Sequence, residues 1–323
     1  MGRIEKQVCI GRIRPPAHGT HRDFIAPWAR AVEAGGHGRL RVTVHDGDSE
    51  LGRPERQHAQ VVSGAVDVAH SVASLPPGRF PRTAIVGAPF LAASASTGTR
   101  LLSQLFPRFL AVEYTGLTVL ALHADSGGLL HTREGPIERL EDLRGLRVRA
   151  PSELVASVLA ELGARPVVLP PLQIHAAAVA DRLDGAAMAW DVVLHSDTAA
   201  IFRYHLDVPL YVSPLYFVMN RARYDGLDPA LRGAIDAASG PALAERFGAW
   251  WEAWARPARE AVQRRGNTVT VLGPGERDRW ARAAQTAIDR WLRALEADGV
   301  SEARAIYETA SAMAGAWEPV GER

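Results

Sequence analysis

Residues Gly145 to Leu162, GLRVRAPSELVASVLAEL, constrain the fold more than any other stretch, because they run a strand directly into a helix with a charge at the junction. Leu146 and Val148 alternate with Arg147 and Arg149, a period of two that predicts a short strand with one apolar and one cationic face. Pro151 ends it. Ser152 is placed to cap a helix whose apolar residues, Leu154, Val155, Val158, Leu159 and Leu162, recur at helical spacing. Open α/β sheets collect ligands at the carboxyl ends of their strands, and the free N–H groups of a following helix add positive character there. Arg149 stands at that corner. Its planar, permanently charged fork suits a carboxylate or a phosphate, and grips a carboxylate through two parallel hydrogen bonds. The residues alone leave a solvated surface role open for both arginines, more readily for Arg147.

The pattern around this junction repeats. Strands are expected at Gln7–Ile13, Leu40–Val44 and Ala65–Ala69, with helices at Phe24–Ala34 and about Arg53–Ser63 between them, a βαβαβ unit that makes a parallel sheet. A second unit follows, with strands at Leu146–Arg149, Pro166–Leu169 and Gly185–Trp190. At 323 residues the chain exceeds the usual size of a single core, so two α/β domains are the economical reading. Asp207–Met219 is extended, apolar and long enough to cross between them. A helical region over about Pro229–Arg264, bent or broken at Gly240–Pro241 and Pro257, and helices at Glu276–Ala297 and Ser301–Ala314 complete the chain.

Composition removes several functional classes. The formal charge of +1 gives no footprint for nucleic acid or an anionic membrane. Lys6 is the only lysine, so P-loop and Schiff-base chemistry have no residue to run on. Cys9 is the only cysteine, which rules out an intrachain disulfide and a zinc–cysteine cluster and reads as a core residue. The eleven histidines have no metal-binding spacing; no HExxH, nucleophile elbow or dinucleotide fingerprint is present. No metal and no cofactor is expected. Asp184, Asp191 and Asp197 read as caps and solvated charges. No apolar run is long enough to span a membrane, and MGRIEKQVCIGRI lacks a signal-peptide core, so the chain is either cytoplasmic or begins after a removed leader.

In order along the chain stand RLRVTVHDGDSELG, VVSGAVDVAH, LPPGRFP followed by APF, EDLRGLRVRAP, ELGARPVVLP, DRLDGAAMAW and SPLYFVMNRARYDGLDPALR. Over roughly Ile10–Tyr307 this series resembles the substrate-binding proteins of tripartite ATP-independent periplasmic (TRAP) transporters, the dicarboxylate-binding-protein-like family. LRGLRVRAP and DRLDG carry most of the resemblance. It implies an α/β two-domain periplasmic-binding-protein fold with crossing strands and a long interdomain helix. One domain would comprise 1–123 with about 210–250, the other 124–209 with about 251–323, and the ligand cleft would lie between them. The implied function is capture of a small organic acid and its delivery to a TRAP membrane permease, in the periplasm, with the leader already removed. An enzyme or a ligand sensor on a similar scaffold is the alternative.

The resemblance also implies site residues. Arg149 corresponds to the basic residue that binds the ligand carboxylate through two hydrogen bonds. Family members often carry a supporting amide after the DG pair, where Ala187 and Met188 stand here; this favours a monocarboxylate with an apolar or aromatic body. Trp190 either walls the cleft or packs within its domain. His70, beside Ser71, either bonds a ligand oxygen or is a satisfied polar residue at a strand end. Ser213 and Tyr216 are candidates for the far wall.

Overall fold

The computed structural model describes residues 6–12, 17–46 and 49–315. Their strands are β1 Lys6–Arg12, β2 Leu40–His45, β3 Val68–Val72, β4 Leu117–Ala124, β5 Gly128–Thr132, β6 Arg147–Ala150, β7 Arg165–Val168, β8 Gly185–Met188, β9 Tyr204–Tyr211, β10 Pro214–Asn220 and β11 Thr268–Thr270. They form two sheets. The first has the order β2-β1-β3-β10-β4 and the second β11-β9-β5-β8-β6-β7. β1 runs parallel to β2 and β3, and β6 parallel to β7 and β8, as the two βαβαβ patterns require. β10 is antiparallel to β3 and β4, and β5 is antiparallel to β8 and β9.

Two short crossings join the sheets. β4 leaves the first sheet at Ala124 and β5 enters the second at Gly128, while β9 leaves the second at Tyr211 and β10 re-enters the first at Pro214. The expected extended segment over Asp207–Met219 is thus two strands broken at the crossing. A third connection is the helix Phe247–Arg264, which carries Pro257 in its interior. Its first half places Phe247, Trp251 and Trp254 in one core with Phe24 and Phe217; its second half places Ala258 and Val262 in another with Ile174 and Phe202. The helix therefore belongs to both domains. Helix Pro274–Ala297 packs on Glu153–Glu161 of the second domain, but the last helix, Ala303–Ala314, returns to lie on Ala95–Leu105 of the first. The division by sequence put all of about 251–323 in the second domain; amphipathic spacing shows that a helix has an apolar face, not which domain covers it.

The expected strand over Gly185–Trp190 also ends early. Ala189 is extended and its carbonyl accepts the Val192 N–H at 3.0 Å, so helix Trp190–His195 starts where a continuous apolar run gave no periodicity to separate strand from helix.

Each domain buries a pair of histidines. In the first, Trp251 Nε1–H donates to His123 Nδ1 at 3.2 Å, so His123 carries its proton on Nε2, which faces His70 Nε2 at 2.9 Å. In the second, Asn267 donates to His205 Nε2 at 2.9 Å, His205 Nδ1 faces His131 Nδ1 at 2.7 Å, and His131 Nε2–H donates to the Met188 carbonyl at 3.0 Å. Every ring in that second chain is neutral. Burial, then the neighbouring ring, lowers His131 to about 3 and holds His123 well below its ordinary value; burial lowers His205 to about 4.

Below about pH 6.5 the unfolded chain binds protons that these rings refuse, so stability falls as pH falls, by about 1.4 kcal/mol per pH unit for each histidine until its folded value is reached. Urea unfolding followed from pH 7 to pH 4 is expected to give that loss, and His205→Gln to flatten the slope. A stability independent of pH over this window would sink the account.

Candidate ligand-binding site

The second domain is arranged around one clamp. Arg147 lays its guanidinium on Asp184, Nε to Oδ2 at 2.9 Å and Nη2 to Oδ1 at 2.6 Å, and its backbone N–H also donates to Oδ2 at 2.7 Å. The pair joins the start of β6 to the residue before β8, with mutual consequences. Asp184 is held below its usual carboxylate range by Arg147, and Arg147 is pushed up by Asp184. LRGLRVRAP supplies the fork and DRLDG its carboxylate. With β6 fixed, Val148 and Ala150 point into the core and Arg149, two residues beyond Arg147, stands on the cationic face at the carboxyl end.

Arg149 is only 4% exposed. Its Nε donates to the Leu169 carbonyl just past β7, and its Nη1 donates to the Ala187 carbonyl in β8, each at 2.8 Å. Among the described residues no carboxylate pairs with it. Burial lowers its pKa, yet an arginine starts so high that it stays charged. A buried cation surrounded only by carbonyl dipoles is expensive, and the remaining N–H groups of the fork suit an anion that arrives from outside.

Tyr211, the last residue of β9, is the neighbour of this arginine. Its hydroxyl donates to the same Ala187 carbonyl at 3.3 Å, and burial pushes its phenol far above the ordinary value. The ring fits because residue 128 is glycine: a Cβ there would lie 2.1 Å from Tyr211 Cζ and 2.2 Å from its hydroxyl oxygen. Asp125 braces the two crossings. Its carboxylate accepts the Ser213 N–H at 2.7 Å and the Gly127 N–H at 3.1 Å, and its own N–H donates to the Ser213 carbonyl at 3.1 Å. Burial pushes the Asp125 carboxyl up to about 6, against the pull of those N–H groups.

A polar contact also spans the domains. Thr20 N–H donates to His18 Nδ1 at 2.9 Å, which leaves the proton on Nε2, 3.3 Å from Asp191 Oδ2. His18 precedes the first helix of the first domain; Asp191 lies in the first turn of Trp190–His195 in the second.

The other sequence candidates are dispersed. Trp190 donates from Nε1 to Asp207 Oδ1 at 3.2 Å and packs its ring on His131 and His205 in the core of the second domain. Met188 is buried and its carbonyl serves His131. His70 stacks on His123 and meets Phe24 edge-on, fully buried in the first domain. Ser71, on the opposite face of β3, donates to the Pro54 carbonyl at 3.4 Å. Tyr216 packs on Phe80. Ser213 lies in the crossing. None of these side chains hydrogen-bonds Arg149. Asp191, expected as a cap or a solvated charge, is instead fully buried and faces His18; Tyr211 and Asp125 carry no spacing signal in the sequence, since their partners are far apart along the chain. A glycine at a strand end admits the close approach of another group, and Gly128 is such a position.

The family model for bacterial extracellular solute-binding protein family 7 (DctP) matches residues 10–294, and the chain belongs to that family, the solute receptors of TRAP transporters. It is an extracytoplasmic type of receptor and not an enzyme. A solved TRAP solute-binding protein from a marine metagenome, specific for aromatic acid ligands and in complex with 3-hydroxybenzoate, superposes with a TM-score of 0.90 at 26% identity over 97% of this chain and 98% of that one. A TRAP solute-binding protein of Rhodoferax ferrireducens with copurified benzoate gives a TM-score of 0.86 at 26% identity, over 96% of this chain and 100% of that one. A Comamonas testosteroni protein named outer membrane transporter protein TsaT is 24% identical over 243 residues, 73% of this chain and 71% of its own.

Gly128→Ala is expected to push the phenol of Tyr211 off its seat and to lower stability by about 1–3 kcal/mol. Urea unfolding measures it, and an unchanged midpoint would mean that the ring does not depend on the glycine.

Proposed function

We propose that this receptor captures a monocarboxylate with an apolar or aromatic body in the cleft between its domains, and that Arg149 binds the carboxylate. The observation that carries this is the buried guanidinium of Arg149, fixed by two backbone carbonyls and lacking a carboxylate partner among the described residues. A carboxylate completes it with two charge-assisted hydrogen bonds. Ala187 and Met188 add no polar side chain to receive a second acidic group. The aromatic acids named for two structural relatives favour the same ligand class. Closure brings the two domains together over the acid, and the loaded protein delivers it to a TRAP permease from the periplasmic side.

Protein unfolded and refolded to strip carried-over ligand is tested by thermal shift and calorimetry with benzoate, 3-hydroxybenzoate and succinate. At 100 times its dissociation constant a ligand adds about 2.7 kcal/mol, a rise of about 5–10 °C for domains of this size. The aromatic acids are expected to give it and succinate is not. Arg149→Ala is expected to weaken benzoate by about 30-fold or more. Preference for succinate would overturn the monocarboxylate assignment, and undiminished benzoate binding by Arg149→Ala would overturn the role of the arginine.

A further inference from the structure

The side chains of Ala187 and Met188 leave the strand beside Arg149 without a neutral hydrogen-bond donor. A guanidinium alone fixes a carboxylate less completely than a guanidinium with a second donor on the other side, because a carboxylate has about four lone-pair sites. Tyr211 reaches the same spot from a different strand. Its hydroxyl and Arg149 Nη1 converge on one oxygen, the Ala187 carbonyl, at 3.3 and 2.8 Å. The arginine holds the better place. At 3.3 Å the tyrosine contact is well beyond the usual O–H···O distance of about 2.7–2.8 Å, so it is a weak bond to an acceptor that is already served.

The ring, by contrast, is firmly seated. It lies across Gly128, where any Cβ would collide with it, and the residue is buried. A rotating O–H on a fixed ring can change acceptor without moving a heavy atom. Tyr211 also ends β9, immediately before the crossing between the two sheets. Burial keeps its proton on at neutral pH, which makes it a donor and never a competing anion.

We propose that the Tyr211 hydroxyl turns from the Ala187 carbonyl to the bound acid and is the second donor to its carboxylate, beside Arg149. This rests on the reading of Arg149 as the carboxylate anchor. The contact is with the head group, so its contribution is independent of the body of the ligand.

Tyr211→Phe removes one oxygen and keeps the ring. The dissociation constants of benzoate and 3-hydroxybenzoate are both expected to rise about tenfold or more, the loss of one hydrogen bond to a charged group, and by the same factor. The melting temperature without ligand is expected to stay close to wild type, because the bond lost there is long. In a crystal structure of the wild-type benzoate complex the Tyr211 hydroxyl is expected about 2.6 Å from a carboxylate oxygen. That measurement needs no variant to fold. Unchanged affinity for both acids, a loss confined to one of them, or a hydroxyl still on the Ala187 carbonyl in the complex would overturn the inference. If wild type binds both acids, Arg149→Ala loses them and Tyr211→Phe does not, the tyrosine assignment alone falls. If Arg149→Ala keeps them, the anchor reading falls and takes this one with it.

Discussion

A guanidinium taken out of water and left with only carbonyl oxygens stays charged, because its pKa begins too high for burial to neutralise it. The second domain is built to hold Arg149 in that condition. The Arg147–Asp184 clamp fixes β6 against the start of β8, and the alternation of the strand then sends Val148 and Ala150 inward and sets Arg149 at the carboxyl end. The Leu169 and Ala187 carbonyls orient the fork. Burying the charge this way costs free energy that an anionic partner would offset.

The frame between the domains serves the same end. Two crossings of two or three residues are held to one another by Asp125 and Ser213. The helix Phe247–Arg264 packs half on each core, with Pro257 close to the change of partner. The contact between His18 Nε2 and Asp191 Oδ2, at 3.3 Å, reaches across the domains. The last helix, packed on the first domain after the preceding one has packed on the second, ties the two halves a further time.

Much of this was legible in the residues. The period-two strand, the proline stop and the serine cap around Arg149 are local features, and Ser152 does accept the Val155 N–H at 3.4 Å. The two βαβαβ units were visible from alternating periods, and LRGLRVRAP with DRLDG marked the family. Boundaries were less legible where apolar runs carry no period, as at Trp190. The candidates near motifs, His70, Ser71 and Tyr216, sit instead among buried neighbours of the first domain, because a position beside a motif says nothing about which face of a strand it occupies.

The sequence by itself determined the elements, the two-domain α/β class and the place of one arginine at a strand end, since each of these depends on spacing within a few residues. Only the tertiary structure decided that Arg149 is buried without a carboxylate partner among the described residues, that Tyr211 shares its carbonyl, and that His18 meets Asp191. Those relations join residues from 20 to 173 positions apart, and the force that brings them together is the burial of whole apolar faces, which fixes where the polar groups end up without leaving any local pattern to mark them.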